Sequence, residues 1–435
     1  MRKAYDVIII GAGIIGNSIA FDLAKRGYRT LNIDKQPAAG YGSTANSSAV
    51  IRTHYSTRQG TALAYESLFH WQNWREFLAA DDELGFACYR ETGIVDIKKD
   101  VAGYDKFREH HNALGIAYED WDRAELERRM PYLDLQSFGP PKRPEDPEFG
   151  TPSGDYISGA FFVPAGGYIN DPVLAAHNLQ RAAEKKGASF LFKNSVTEIR
   201  QNGGRVNGVT LESGSRIDAP IVVNVAGPHS FVINEMAGVA KKMKIRTRPL
   251  RQEAHYTPAP TEVEYDKVGT LISDNDVGGY SRPEVGGKLV VGSLEPACDA
   301  LEWVNDPDDF DRDVSGEQWE AQVYRVALRI PSLAIPTHPL GVVDLYDVSD
   351  DWIPVYDKSD LPGFYMAVGT SGNQFKSSPV VGQMMGKLIN DCEEGHDHDE
   401  SPVSITGRYT GEILDLGFYS RLRDSNTDSS FSVLG

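Results

Sequence analysis

Gly11, Gly13 and Gly16 stand between a β-branched apolar run, Val7 to Ile10, and apolar residues at helical spacing, Ile15, Ile19, Leu23 and Ala24. The near-continuous apolar character of the first run predicts a central parallel strand covered on both faces. Gly27 can stop the helix, and Arg29 to Ile33 predict a second strand ending at Asp34. Glycines at this spacing allow a tight turn, close approach of backbone to a pyrophosphate and close helix packing, while the helix N-terminus supplies positive dipole. Asp34 lies 23 positions after Gly11, where a carboxylate at a strand end can accept hydrogen bonds from a ribose. The unit predicts a bound dinucleotide in contact with Gly11, Gly13, Ile14, Ile15, Gly16, Asp34 and Lys35. It does not by itself separate FAD from NAD.

The chain has 435 residues, more than one core of about 250–300 residues sustains. Five prolines between Gly139 and Gly154 predict an exposed crossing between two domains. Asp171 as N-cap, Pro172 and Gly187 frame a helix. Ile221 to Val225 and Phe364 to Val368 return to the buried-strand pattern, and short alternating strands with a helix near 317–328 occupy the stretch between them. The predicted fold class is α/β plus α+β: a Rossmann-type dinucleotide domain of segments 1–80, 155–235 and 336–391, and a discontinuous substrate domain of 81–154 and 236–335 on a mixed β-sheet. Residues 392–435 form an acidic, polar C-terminal extension, docked at Ile405 to Phe418, in which 396–400 reads as a solvated loop with no metal.

Four separated stretches decide between cofactors: GAGIIG with Asp34, YGSTANSSAVIRTHY at 41–55, FVPAGGYINDPVLAAHNLQRAAEKKGA at 162–188 with VVNVAGPHS at 222–230, and GTSGNQFKSSPVVGQMMGKLI at 369–389. With these motifs the chain resembles FAD-dependent oxidoreductases of the D-amino-acid oxidase superfamily, most closely the sarcosine oxidase and dimethylglycine dehydrogenase branch. The resemblance implies FAD, with Ser43, Thr44, Ser47 and Ser48 along the pyrophosphate and ribityl chain. It places Val196 on the adenine side through its backbone and Ala226 and Gly227 along the dinucleotide. Gly341, Val343, Gly369, Ser371, Gly372, Asn373, Gln374, Phe375 and Lys376 would border the flavin ring, where amides and a cation can stabilise negative charge.

The resemblance also implies a substrate site. Arg52 matches the family arginine that holds a substrate carboxylate, a task that suits a guanidinium fork. Lys376 and Tyr280 complete the expected catalytic set, and His54, His255, Arg282 and Gln374 are expected near the substrate. The implied reaction is hydride transfer from a secondary or tertiary amine, such as an N-methyl or cyclic amino acid, giving an imine that hydrolyses.

Three departures shape these expectations. The stretch Gly341-Val342-Val343-Asp344 has no cysteine for a covalent tether, and Asn46 stands where dimethylglycine dehydrogenases carry a histidine, so FAD is expected to be non-covalent. Val290 stands where monomeric sarcosine oxidases have an oxygen-activating lysine, Lys288 being two positions away, which leaves oxygen and another acceptor open. Gln374 replaces a glycine and adds a side chain beside the ring or substrate. Two alternatives remain: an FAD-dependent hydroxy-acid or glycerol-phosphate dehydrogenase, and a flavin-binding subunit of a hetero-oligomeric oxidase.

Forty-four basic against sixty-two acidic residues give a formal charge of −18, which disfavours nucleic acid and anionic membrane surfaces as partners. Cys88, Cys298 and Cys392 are widely spaced and suggest neither a disulfide framework nor a thiolate metal site. No run of ~18 apolar residues predicts a membrane anchor. A cytoplasmic enzyme with a small-molecule amine substrate is the expectation, with homo- and hetero-oligomers both open.

Overall fold

The computed structural model describes residues 5–99, 104–261, 263 and 269–434. A six-stranded sheet has the order Val355–Lys358, Phe364–Val368, Ile221–Asn224, Val7–Ile10, Thr30–Asp34 and Ser189–Phe192. All neighbours are parallel except the first two strands. The strand Val7–Ile10 shows why an uninterrupted apolar run is needed at its centre, because successive side chains point to opposite faces. Val7 and Ile9 pack into a core with Ile19, Leu23, Leu179, Met384 and Leu388, contributed by the helices Ile14–Lys25, Pro172–Lys185 and Ser378–Glu393. Ile8 and Ile10 pack on the other side with Val206, Val209 and Ile233, beneath a three-stranded sheet and the helix Ser230–Met236. Each such side chain contributes about 1.5–3 kcal/mol when fully buried.

A nine-stranded mixed sheet lies beyond. Its order is Glu302–Trp303, Thr247–Pro258, Lys288–Ser293, Gly279–Glu284, Leu271–Asp274, Ile94–Lys98, Gly159–Val163 and Glu119–Asp122, with Gly341–Ser349 also paired to Thr247–Pro258. The helix Gly316–Arg329, N-capped by Ser315, covers one face through Trp319, Val323 and Val326, which meet Leu289 and Val291. The opposite face carries Tyr280, whose hydroxyl meets Ser48.

The sheet partition differs from the segment boundaries expected at 155 and 336. Gly159–Val163 and Gly341–Ser349 both pair within the nine-stranded sheet. The proline-rich stretch does not cross between layers where it begins, because Ser137 Oγ and the Phe138 and Gly139 amides all donate to the Asp276 carboxylate. Arg329 also bonds Asp276 and Asp274. Proline content reported irregular backbone correctly, but a buried carboxylate ties that backbone to the sheet.

The C-terminal extension docks on the first domain, with Leu414, Leu416 and Tyr419 buried in the same core as the first strand. Glu66 accepts from the Tyr409 and Thr410 amides, Arg421 bridges Asp357 and Asp399, and Arg423 grips Asp351. His398 is buried, and its Nδ1 accepts from the Val403 amide. The 396–400 stretch is exposed apart from His398, as a solvated loop would be, but Asp399 also pairs with Arg421 and with Lys358, and Asp397 with Lys358, which ties the loop to the fold.

Candidate functional site

At the turn after the first strand, two of the three glycines serve the chain's own packing. A Cβ on Gly11 would stand 2.3 Å from the Val225 carbonyl oxygen, and one on Gly16 would stand 2.4 Å from that of Gly11. Gly13 differs, since a Cβ there would meet only Thr44 Oγ1, at 3.3 Å. It is also the N-cap of the helix Ile14–Lys25 and offers no side-chain cap, so helix amides stay directed at whatever lies over the turn. The Ile14 amide is met by Thr44 Oγ1 at 3.1 Å, an oxygen acceptor where an anionic oxygen would bind. Asp34 ends the second strand and accepts from the Ala12 and Gln36 amides at 2.7 and 2.8 Å. The Asn194 amide donates to the Asp34 carbonyl, which brings the strand that starts at Val196 alongside. Val225, just before Ala226 and Gly227, bonds Ile10. A helix end met only by the Thr44 hydroxyl, an open glycine and a strand-end carboxylate fit the pyrophosphate and ribose of a dinucleotide. Lys35 is engaged with His229 and Asp308 at the rim.

The loop 41–48 runs from this cradle to the nine-stranded sheet. Ser43 Oγ donates to the Leu345 carbonyl at 2.8 Å, and Asn46 Nδ2 donates to Asp344 at 2.8 Å. Ser47 Oγ accepts from the Ala49 amide, and Ser48 Oγ lies 2.7 Å from the Tyr280 hydroxyl. Gly341 and Val343 pair with His255 and Glu253, whereas Asp344 pairs with Gln252. Directly paired residues share a face, so the Val343 side chain lies on the opposite face from Asp344. Only backbone of Val343 could border a ring held by this loop.

Beyond Ser48 the chain forms a short strand, Val50–Ile51, against Gly167–Ile169, and delivers Arg52 into a closed pocket. Arg52 is buried, stacks its guanidinium 4.6 Å from the Tyr55 ring centroid and donates Nη2 to the Val433 carbonyl. The Tyr55 hydroxyl donates to the Asn373 carbonyl at 2.6 Å. Lys376 is buried, not on the surface, and its Nζ donates to the Asn373 carbonyl at 2.8 Å and to the Tyr55 hydroxyl at 3.1 Å. Burial, then the nearby Arg52 charge, holds the Lys376 ammonium well below the usual lysine range. Among the described residues no carboxylate lies within ion-pair distance of either cation. A buried guanidinium with no carboxylate at ion-pair distance makes an anion site, and the lysine beside it is held toward its neutral form.

Several expected substrate residues stand elsewhere. His255 pairs with Val291, and Val291 packs toward the helix Gly316–Arg329. Tyr280 pairs with Gly292 on the other face, so the expectation for His255 is corrected: strand parity turns it away. Burial pushes it down to about 4. Gln374 turns inward, accepting from the Tyr356 hydroxyl and donating to Asn373 Oδ1, which corrects its expected place beside a substrate. His54 lies behind Arg52 with Nε2 3.1 Å from the buried Asp96 carboxylate, a bracing pair that corrects its substrate role. Arg282 shares the face of Tyr280 but is committed to Glu284 and lies over the Tyr168 ring.

The remaining glycine-rich residues act structurally as well. Ser371 Oγ donates to the Gly369 carbonyl, and its left-handed backbone is held by Asp347. Gly372 approaches the Tyr346 ring, and Phe375 stacks on Trp71 at 5.5 Å. Lys288 sits exposed at the hairpin end opposite Glu284, while Tyr280 pairs with Gly292 four residues further along the strand, about 13 Å away.

Sequence reasoning missed Tyr55, Asp96, Tyr346, Glu295 and the tail residue Val433. Tyr55 lies just past the Arg52 motif and was legible in principle. The others come from distant segments with no local pattern.

The family model described as "DAO: FAD dependent oxidoreductase" matches residues 6–388. A "Sarcosine oxidase subunit beta" of Rhodobacter capsulatus is 24% identical over 392 residues, covering 89% of this chain and 85% of that protein. A "Glycine oxidase" of Geobacillus kaustophilus is 23% identical over 420 residues, covering 95% and 99%. Among solved structures, L-proline dehydrogenase from P. horikoshii has a TM-score of 0.73 at 21% identity, covering 97% of this chain and 98% of that one. At that identity the likeness shows the fold alone. No helix among the described residues is long and apolar enough to cross a membrane.

Proposed function

Because this chain belongs to the DAO family of FAD-dependent oxidoreductases, we propose that it oxidises a secondary or tertiary amine of an amino acid, such as an N-methyl or cyclic one. The observation that carries this reading is Arg52, a buried guanidinium with no carboxylate at ion-pair distance among the described residues, beside a Lys376 amine that burial holds toward its neutral form. A substrate carboxylate supplies the missing charge. The names of the relatives, a sarcosine oxidase subunit and a glycine oxidase, support the same substrate class.

FAD supplies a hydride acceptor when bound. Gly11, Gly13, Gly16, Asp34 and Thr44 would hold its dinucleotide part, and the 41–48 loop, Ala226 and the 369–376 stretch would hold the rest. Arg52 orients the substrate by its carboxylate, Lys376 offers an amine that an arriving anion favours in its protonated form, and Tyr280, fixed by Ser48, bounds the opposite wall. The enclosing Tyr55 and Tyr346 keep water from this charge, which strengthens the grip. With Asn46 bound to Asp344 and no cysteine at 341–344, the cofactor is held non-covalently, and acid precipitation leaves a colourless pellet.

The test is anaerobic bleaching of the FAD absorbance by a panel of N-methyl and cyclic amino acids, hydroxy acids and glycerol phosphate. Amino acids bleach it, and Arg52→Ala raises KM by about 100-fold, the loss of a charge-assisted bidentate contact. Bleaching by hydroxy acids alone would sink the reading. The sarcosine oxidase subunit beta relatives keep a hetero-oligomer open, and activity of the purified single chain distinguishes an enzyme from a subunit that needs partners.

A further inference from the structure

One carboxylate in this pocket belongs to no motif and has no assigned work. Glu295 lies two residues past the strand Lys288–Ser293 in a left-handed backbone conformation, φ 50°. Non-glycine residues rarely adopt it, and it recurs where function constrains the chain. The Glu295 amide donates to Ser293 Oγ at 3.0 Å. Its Oε2 is shut off from solvent and has no hydrogen-bond partner, an arrangement that is costly unless a ligand completes it. The charged and titratable groups that face it are Arg52, Asp299, Tyr280 and Tyr346. Burial raises the carboxyl to about 8, opposed by the Arg52 charge and by the backbone amide of Val433.

The tail shows what this pair of side chains can grip. Arg52 donates to the carbonyl oxygen of Val433 while the amide of the same residue faces Glu295. The Leu434 carbonyl accepts from the Ser56 amide at 3.1 Å, and Ser429 Oγ is anchored on the Asp351 carbonyl at 2.6 Å. Across one Cα, Val433 presents a nitrogen to a carboxylate and an oxygen to a guanidinium. That is the spacing of an α-amino acid.

We infer that Glu295 reads the amino group of the substrate, opposite Arg52 on its carboxylate, and that Val433 holds the same two anchors when no substrate is present. This rests on the reading that the substrate is an amino acid. An ammonium arriving at Oε2 favours the ionised carboxylate. The substrate nitrogen then passes one proton to Oε2, the amine becomes neutral, and Glu295 becomes a carboxylic acid. The freed lone pair is what oxidation of the adjacent C–H bond requires, and no further reactant enters.

The experiment uses the FAD-loaded full-length chain as wild type, Glu295→Gln and Glu295→Asp. KM and kcat are measured from pH 6 to 10 with the amino acid that bleaches the flavin best. Binding of propionate, a carboxylate without an amine, is measured in parallel. In Glu295→Gln, KM rises about 10–100-fold, the ionisation near 8 leaves the kcat/KM profile, and propionate affinity changes by less than about 3-fold. Glu295→Asp, which keeps the charge, recovers part of the loss. A wild-type KM and pH profile in Glu295→Gln overturns the inference alone, and equal losses for amino acid and propionate overturn it in favour of a structural role. A wild-type flavin that no amino acid bleaches removes the substrate reading and this inference with it.

Discussion

Two glycines of one turn should fail in opposite ways when given a methyl group. In Gly16→Ala the new Cβ would lie 2.4 Å from the Gly11 carbonyl oxygen and 3.1 Å from its carbon. Both are backbone atoms, and the oxygen also accepts from the Asn32 side-chain amide on the second strand, so relief requires a shift between helix and sheet, at a cost of about 1–3 kcal/mol. In Gly13→Ala the Cβ meets only the Thr44 hydroxyl at 3.3 Å, a side chain that can yield a few tenths of an ångström, and the apoprotein changes by under about 1 kcal/mol. The Gly13 methyl, however, stands over the helix N-terminus where a pyrophosphate must approach. Losing one or two charge-assisted hydrogen bonds weakens FAD by about 100-fold, or ~2.7 kcal/mol. At FAD 100-fold above the wild-type Kd, the ligand stabilises wild type by ~2.7 kcal/mol and Gly13→Ala by only ~0.4 kcal/mol. Thermal unfolding of the apoproteins with and without FAD, with flavin fluorescence titration for Kd, separates the two effects. Gly13→Ala with wild-type FAD affinity, or Gly16→Ala with wild-type apoprotein stability, would refute this division of labour.

Two further outcomes are expected. Burial raises the Asp96 carboxyl from 3.8 to about 7, so the folded chain keeps a proton that the unfolded chain releases, and this contribution is present below pH ~4 and lost as pH rises through 7, by up to about 4 kcal/mol. The unfolding free energy of Asp96→Asn relative to wild type should therefore improve from pH 4.5 to 7.5, and a difference that is flat with pH would show that Asp96 is ionised in the fold. Because Val433 holds Arg52, a chain ending at Asp428 should show a KM lowered by about 10-fold, the equivalent of one charge-assisted hydrogen bond; an unchanged KM in steady-state assays would mean the tail leaves the pocket at no cost.

The fold around the cofactor was legible because its signals are local. Val7 to Ile10, the glycines, Ile14 to Lys25 and Asp34 occupy 28 consecutive positions, and strand, turn, helix and acid each follow from sterics over a few residues. Arg52 and Lys376 were singled out from their motifs, and the structure brings both against Tyr55. His255 was misjudged because strand parity depends on which face its partners bury, and only the pairing to Val291 reveals that. Gln374 was misjudged because its amide finds Tyr356, a residue on another strand of the cofactor sheet.

The sequence by itself determined a strand–glycine turn–helix unit at Gly11, Gly13 and Gly16 of the kind that cradles a dinucleotide, and the motifs beyond it pointed to FAD. Tertiary structure alone decided what the pocket can hold. Arg52 meets Val433 across 381 positions, and Glu295 reaches the same place from the end of a different sheet strand. Such contacts have no periodicity to read, because they exist only after both sheets have packed and their loops have closed on one another. The physical reason is burial: an arginine, a lysine and a glutamate are ordinary surface residues in a chain, and their shifted protonation and unmet partners arise only where the fold has taken water away from them.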